Sequence, residues 1–266
     1  MAYPSPDQLQ CRWHEKSFQR RANLVVAVGQ STFAETALIS TPPQSLIGRS
    51  DLLAVDQFFV STKPDADLYP QLANWNSRGG LVEHCDFAGA IAFELASAVN
   101  ETNGSRLRPN DHRAALQLHD LGRTVLHSFM ETDIMTDHLW GMIGLRQDLH
   151  DLTHSAHLYW DEVETPVANL TTAQKISIIA DTAGKRSSAN INRLRLVEEI
   201  IPSVQAGKKK YLSKPNPTIY EQMLIERLPQ YSRREDEAIA YTLSWFAGLG
   251  INLDAIIQAI PLERLS

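Results

Sequence analysis

Gly79-Gly80-Leu81-Val82-Glu83-His84-Cys85-Asp86-Phe87-Ala88-Gly89-Ala90-Ile91-Ala92-Phe93-Glu94-Leu95-Ala96-Ser97-Ala98 is the stretch on which the reading of the fold turns. The Gly-Gly break ends whatever precedes it. Phe87, Ala88, Ile91, Leu95 and Ala98 then recur at the spacing of a buried helix face. His84 lies four, seven and eleven residues before Ala88, Ile91 and Leu95, so the imidazole shares that inward face. A lone histidine there reads either as a hydrogen-bonded core residue or as a ligand, and residues further along the chain decide between the two.

The next helix is expected to begin at Asn110 or Asp111, both good N-caps after Pro109, and to run through Ala115, Leu116 and Leu118 to a stop at Gly122. His119 and Asp120 then occupy its last turn, where free carbonyls and the negative end of the helix dipole favour a cation. Adjacent His and Asp offer a neutral imidazole and a hard carboxylate. With two further N/O ligands they can hold a divalent ion with a coordination position left open. A third helix is expected from Thr136 or Asp137, carrying His138, Met142, Ile143 and Leu145. A fourth, capped by Thr171 or Thr172, runs from Ala173 to Ala183 and ends at Gly184, with Asp181 near its end on a partly apolar face. Further helices are expected at 189–201, 219–228, 234–247 and 255–265.

The first seventy or so residues read differently. Leu24-Val25-Val26-Ala27-Val28 before Gly29, and Phe58-Phe59-Val60, look like short strands among turn residues such as Pro42-Pro43 and Gly48. The expected organisation is an N-terminal lobe over 1–70, a helical core over 71–205, and C-terminal helices over 206–266 that pack on the core. The class is mainly α.

A net charge of −6 over 266 residues argues against wholesale binding of nucleic acid or anionic membrane. The run Lys208-Lys209-Lys210 reads as a solvated loop. Two cysteines, Cys11 and Cys85, imply no disulfide framework and point to a reducing compartment; with no stretch resembling a signal sequence or a membrane span, the expectation is a soluble cytoplasmic protein.

Three stretches together resemble the HD-domain superfamily of metal-dependent phosphohydrolases. Gly79 to His84 is similar to the family's opening "GGLLEH", found in some bacterial 3′–5′ exoribonucleases and conjugation-associated relaxase-like proteins. Ala115-Leu116-Gln117-Leu118-His119-Asp120-Leu121-Gly122-Arg123 resembles "aLLHDiGK", and Ile179-Ala180-Asp181 resembles the closing "-AD-" segment. The likeness covers roughly residues 75–190 and fits no one subfamily. It implies that the helical core is an HD-type bundle, beside the small N-terminal lobe read above, and a metal ion (Mn, Fe, Zn or Mg) held by His84, His119, Asp120 and Asp181. Asp120 and Arg123 would serve catalysis, with Arg123 in place of the family's usual Lys and neutralising phosphoryl charge through a planar fork. Lys185 and Arg186 are further candidates for phosphate contact. His138, with His154 or a neighbour among His150 and His157, are candidates for a second metal.

The function so implied is hydrolysis of a nucleotide or another small phosphoester by a metal-activated water. Two other classes stay open on the sequence. A di-iron oxygenase of HD type would need the extra histidines of the 138–157 segment. A non-catalytic module would bind a nucleotide or a partner protein without turnover, because fold resemblance does not guarantee chemistry.

Overall fold

The computed structural model describes residues 16–39, 46–63, 80–125, 131–154, 166–184, 196–202, 205–206 and 219–260. Nine α-helices carry the described chain: α1 Lys16–Phe33, α2 Arg49–Ser61, α3 Leu81–Asn103, α4 Pro109–Leu118, α5 Glu131–Ile143, α6 Gln147–His154, α7 Thr172–Gly184, α8 Ile219–Gly248 and α9 Leu253–Ala259. Short 3₁₀ turns at Leu121–Thr124 and Val167–Asn169 and a π-helical turn at Leu196–Ile200 complete it. The described residues contain no strand.

Both expected strands are therefore corrected. Leu24–Val28 lies inside α1 and Phe58–Val60 inside α2. The β-branched run misleads because its neighbours carry the helical signal. Arg21, Val25, Gly29 and Phe33 are buried at a strict spacing of four, whereas Leu24 is exposed. On α2, Leu52, Val55, Phe58 and Phe59 are buried while Leu53 and Val60 face solvent, again one stripe of a helix. Gly29 is not a strand end. It lets α1 lie against α5, since a Cβ there would come within 2.7 Å of the Ile143 side chain.

Helix α3 is the central element, and its small residues explain why. Gly80 caps it in an extended conformation, and Gly104, at φ 69°, closes it in the left-handed region that favours glycine. Along its length Ala88, Gly89, Ala92 and Ala96 are buried. At Gly89 a Cβ would stand 2.7 Å from Gln117 Cγ and 2.9 Å from the Arg113 carbonyl of α4, so only glycine allows that approach. Helices α4 and α7 both lie along α3, and α4 divides the interior. Ala114 and Leu118 join an apolar cluster with Val25, Phe58, Leu139 and Trp140, while Ala115 and Leu116 join another with Phe87, Ile91, Ile179 and Phe246. Helices α1 and α2 thus share a core with α4 to α6.

Other boundaries move for identifiable reasons. Helix α4 begins with Pro109 at its first turn and Arg108 as N-cap, so Asn110 and Asp111 lie within it. It ends at Leu118, with His119 as its C-cap and Asp120 opening the 3₁₀ turn; Gly122 is inside that turn and not at a positive φ. Helix α5 starts at Glu131, which puts Thr136 in its interior, where its hydroxyl accepts from the Gly122 N–H at 2.8 Å. Backbone helix continues through Pro229, so the two helices expected at 219–228 and 234–247 are one, α8. Proline keeps a helical φ and forfeits one backbone hydrogen bond without ending the helix here. Helix α9 begins earlier than expected because Asn252 accepts from the Ala255 N–H. Residues 261–266 and 185–195, including the expected ends of two helices, fall outside the described residues.

Candidate metal centre

Three elements bring four ligand-type side chains together. His84 comes from the first turns of α3, His119 and Asp120 from the junction of α4 with its 3₁₀ turn, and Asp181 from the last turn of α7. His84 Nε2 stands 3.2 Å from His119 Nε2, 3.2 Å from Asp181 Oδ1 and 3.5 Å from Asp120 Oδ2. His119 Nε2 is 3.1 Å from Asp181 Oδ1 and 3.8 Å from Asp120 Oδ2. Among the described residues, His84, His119 and Asp120 form the one group of three or more such side chains gathered closely enough to hold a metal ion. Asp181 lies against both of its histidines.

The atoms that meet are electron-pair donors, which is the feature that needs explaining. His119 Nδ1 is 2.5 Å from the Leu116 carbonyl; a carbonyl only accepts, so Nδ1 carries the hydrogen. In a neutral ring Nε2 is then a bare lone pair aimed at a carboxylate oxygen and a second imidazole nitrogen. Without a proton or a cation between them, these atoms repel. Burial works against a charge on His119, yet the Asp120 carboxylate and hydrogen bonds to Asp181 and Cys85 outweigh it and hold the ring well above its usual pKa. Burial likewise opposes the Asp120 charge, but Arg123, then His119, then His84 overcome it and hold that carboxyl well below the usual carboxylate range. A metal ion bound there would displace the His119 Nε2 proton to solvent and meet an Asp120 carboxylate that is already ionised.

His84, His119 and Asp120 are gathered closely enough to hold an ion. Ligands at ~2.0–2.2 Å from a first-row divalent metal sit about 3.0–3.5 Å from their neighbours in tetrahedral or octahedral arrangements. Asp120 Oδ2 is buried and accepts no hydrogen bond, although Arg123 Nε approaches it to 3.0 Å as a charge pair off the hydrogen-bonding line.

Arg123 therefore braces Asp120 from three residues on, and its side chain is 30% exposed against 3% for Asp120. Together with His84, at 12%, it is the accessible edge of a centre otherwise nearly closed to solvent. His138 is exposed on α5 and is not drawn into the cluster. His150 is engaged elsewhere: its Nε2 lies 2.9 Å from Asp137 Oδ1 and its ring packs against Trp140. The side chain of His154, and all of His157, Lys185, Arg186 and Lys208–Lys210, lie outside the described residues.

The structure adds members that the sequence does not single out. Cys85, buried beside His84 in the chain, is turned about 100° around α3 and so faces the ring of His119, to which it is hydrogen-bonded. The Leu116 carbonyl, freed at the end of α4, fixes the tautomer of His119. Thr136 ties the 3₁₀ turn to α5. The position of Cys85 next to a candidate ligand is the available signal; the other two roles depend on where α4 stops.

Comparison with protein-family models, curated proteins and solved structures finds no match to this chain. Among the described residues no single helix is long and apolar enough to cross a membrane.

Proposed function

We propose that the protein is a metal-dependent phosphohydrolase of HD type, acting on a nucleotide or another small phosphoester in the cytoplasm. The observation that carries this reading is the gathering of His84, His119 and Asp120, with Asp181 against both imidazoles, each Nε2 standing 3.1–3.8 Å from the carboxylate oxygens and 3.2 Å from the other Nε2. His84, His119, Asp120 and Asp181 are its metal ligands. A divalent ion held there supplies a water of lowered pKa and withdraws charge from a phosphoryl oxygen. Asp120 is kept ionised by Arg123 and its neighbours. Arg123, at the accessible edge, holds Asp120 in place and presents positive charge where a phosphate would enter. The exclusion of bulk water from the ligand atoms strengthens each of these interactions.

A two-metal oxygenase gains no support, because His138 is exposed and His150 is paired with Asp137, so among the described residues no second set of histidines stands beside the first. The test is elemental analysis of protein purified without chelator, run with a panel of phosphomonoesters, phosphodiesters and nucleotides. About one metal ion per chain and phosphate release are expected. His119→Ala and Asp120→Ala are expected to lose the metal while keeping helical circular dichroism. Full metal content in both variants overturns the assignment, and a metal-loaded protein inert across the panel yet stabilised by a nucleotide replaces catalysis with sensing.

A further inference from the structure

The two imidazoles of the centre are supported from behind in different ways. His119 Nδ1 donates to a carbonyl, the usual means by which a protein orients a metal-binding ring. His84 Nδ1 is buried and has no hydrogen-bond partner. Something else must fix the direction of that ring, and on its Nδ1 side the chain passes close at Gly184, the last residue of α7. A Cβ at Gly184 would lie 3.1 Å from His84 Nδ1, 3.2 Å from the His84 carbonyl oxygen and 3.2 Å from Ala88 Cβ. Gly184 has no positive φ, so its backbone does not require glycine. What requires glycine is space: the α7 backbone lies where a methyl group would press on the ring.

We infer that Gly184 is a positioning residue of the metal centre, setting the direction of His84 by close packing where His119 is set by a hydrogen bond. The inference rests on the metal reading given above. It also explains why Asp181 and Gly184 belong to one turn of α7. The same helical end that brings a carboxylate to His84 Nε2 at 3.2 Å brings a bare backbone to its Nδ1 side, so a single element grips the ring from both edges. A methyl group at 184 meets a backbone oxygen as well as two side chains. The ring is the part able to yield, by a few tenths of an ångström, and this would carry Nε2 off the point where the other donors meet.

The test titrates metal-free wild type, Gly184→Ala and Gly184→Ala/Ala88→Gly with Co(II), following visible d–d absorption for affinity and ligand field and thermal unfolding without metal for fold. Gly184→Ala is expected to weaken Co(II) binding about tenfold or more and to alter the absorption bands. Metal-free stability should hold or rise, since alanine favours the helix. Removing the Ala88 methyl in the double variant gives the new one room and is expected to recover most of the affinity. Wild-type affinity and bands in Gly184→Ala overturn the inference and leave the metal reading intact; absence of Co(II) binding by the wild type overturns both. Should Gly184→Ala not fold, nitrogen-15 histidine spectra of the zinc-loaded wild type decide. The Nδ1 proton of His119 is expected to resonate downfield, as a strongly hydrogen-bonded N–H does, and that of His84 well upfield of it; equal downfield shifts of the two remove the premise.

Discussion

The two ends of α4 carry the same kinds of side chain and treat them in opposite ways. At its N-terminal end, Asp111 is buried between two guanidiniums, 3.0 Å from Arg108 and 3.3 Å from Arg146. Arg146 grips Asp148 with Nε at 2.9 Å and Nη2 at 2.6 Å, and also donates to the Ala37 carbonyl. Two acids face two bases, and donors face acceptors throughout. At the C-terminal end, two carboxylates and two imidazoles converge with one guanidinium among them. The first end is closed by its own arginines; at the second, Asp120 Oδ2 and His84 Nδ1 are buried with no hydrogen-bond partner. Buried charge therefore closes on itself at one end of the helix and leaves buried polar atoms without hydrogen-bond partners at the other, the feature on which the proposed metal site rests.

The largest effect expected from this contrast is at the complete end. Arg146 is 5% exposed and is the shared partner of Asp111, Asp148 and the chain after α1. Arg146→Ala leaves Asp111 buried with only the half-exposed Arg108 beside it, and a broken buried pair costs about 3–5 kcal/mol. Urea unfolding should show that loss with metal content per folded chain unchanged. A loss under about 1 kcal/mol would mean that the cluster is wetter and less committed than its geometry indicates.

Between the two ends lies a second histidine on the same stripe of α4, seven residues before His119. His112 is 2% exposed, its Nδ1 has no hydrogen-bond partner, and burial pushes its pKa down to about 4. The unfolded chain takes up this proton below about 6.5, and the folded protein refuses it until about 4. Its contribution is thus fully present above pH 6.5 and lost as the pH falls toward 4, to the extent of roughly 3 kcal/mol. His112→Leu is expected to flatten the fall in urea midpoint over that window relative to wild type. Parallel pH profiles for the two proteins would show that His112 finds a partner on protonation. Burial alone lowers this histidine of α4, whereas at the far end Asp120, Asp181 and Cys85 together raise His119.

Much of this is legible in the sequence because helix periodicity and ligand chemistry leave local marks. Placing His84 on the face of Ala88, Ile91 and Leu95 needs only spacing, and the stop near Gly184 needs only composition. The strands are misread because Val25, Val26 and Val28 advertise β structure, while the deciding partners, Gly29 against Ile143 above all, are more than a hundred residues apart. The Arg146 cluster is invisible for the same reason: it joins Ala37, Asp111 and Asp148, and no spacing rule links them. Within the centre, ligand types can be read, but which nitrogen of His119 faces inward depends on the Leu116 carbonyl and so on the last turn of α4.

The smallest expected effect is the most diagnostic. Arginine cannot shed its proton, so the N-terminal cluster has no way to rebalance when one member is lost. The centre can, because His119, held protonated by Asp120, Asp181 and Cys85 against the pull of burial, releases that proton when a carboxylate is neutralised. In the presence of chelator, Asp181→Asn is therefore expected to stay within about 1 kcal/mol of wild type, a fraction of the Arg146→Ala loss. Metal affinity, by contrast, should fall steeply, since the amide brings no charge to the ion. A metal-free Asp181→Asn as crippled as Arg146→Ala would place Asp181 among the structural charges. The two ends of α4 would then differ only in degree.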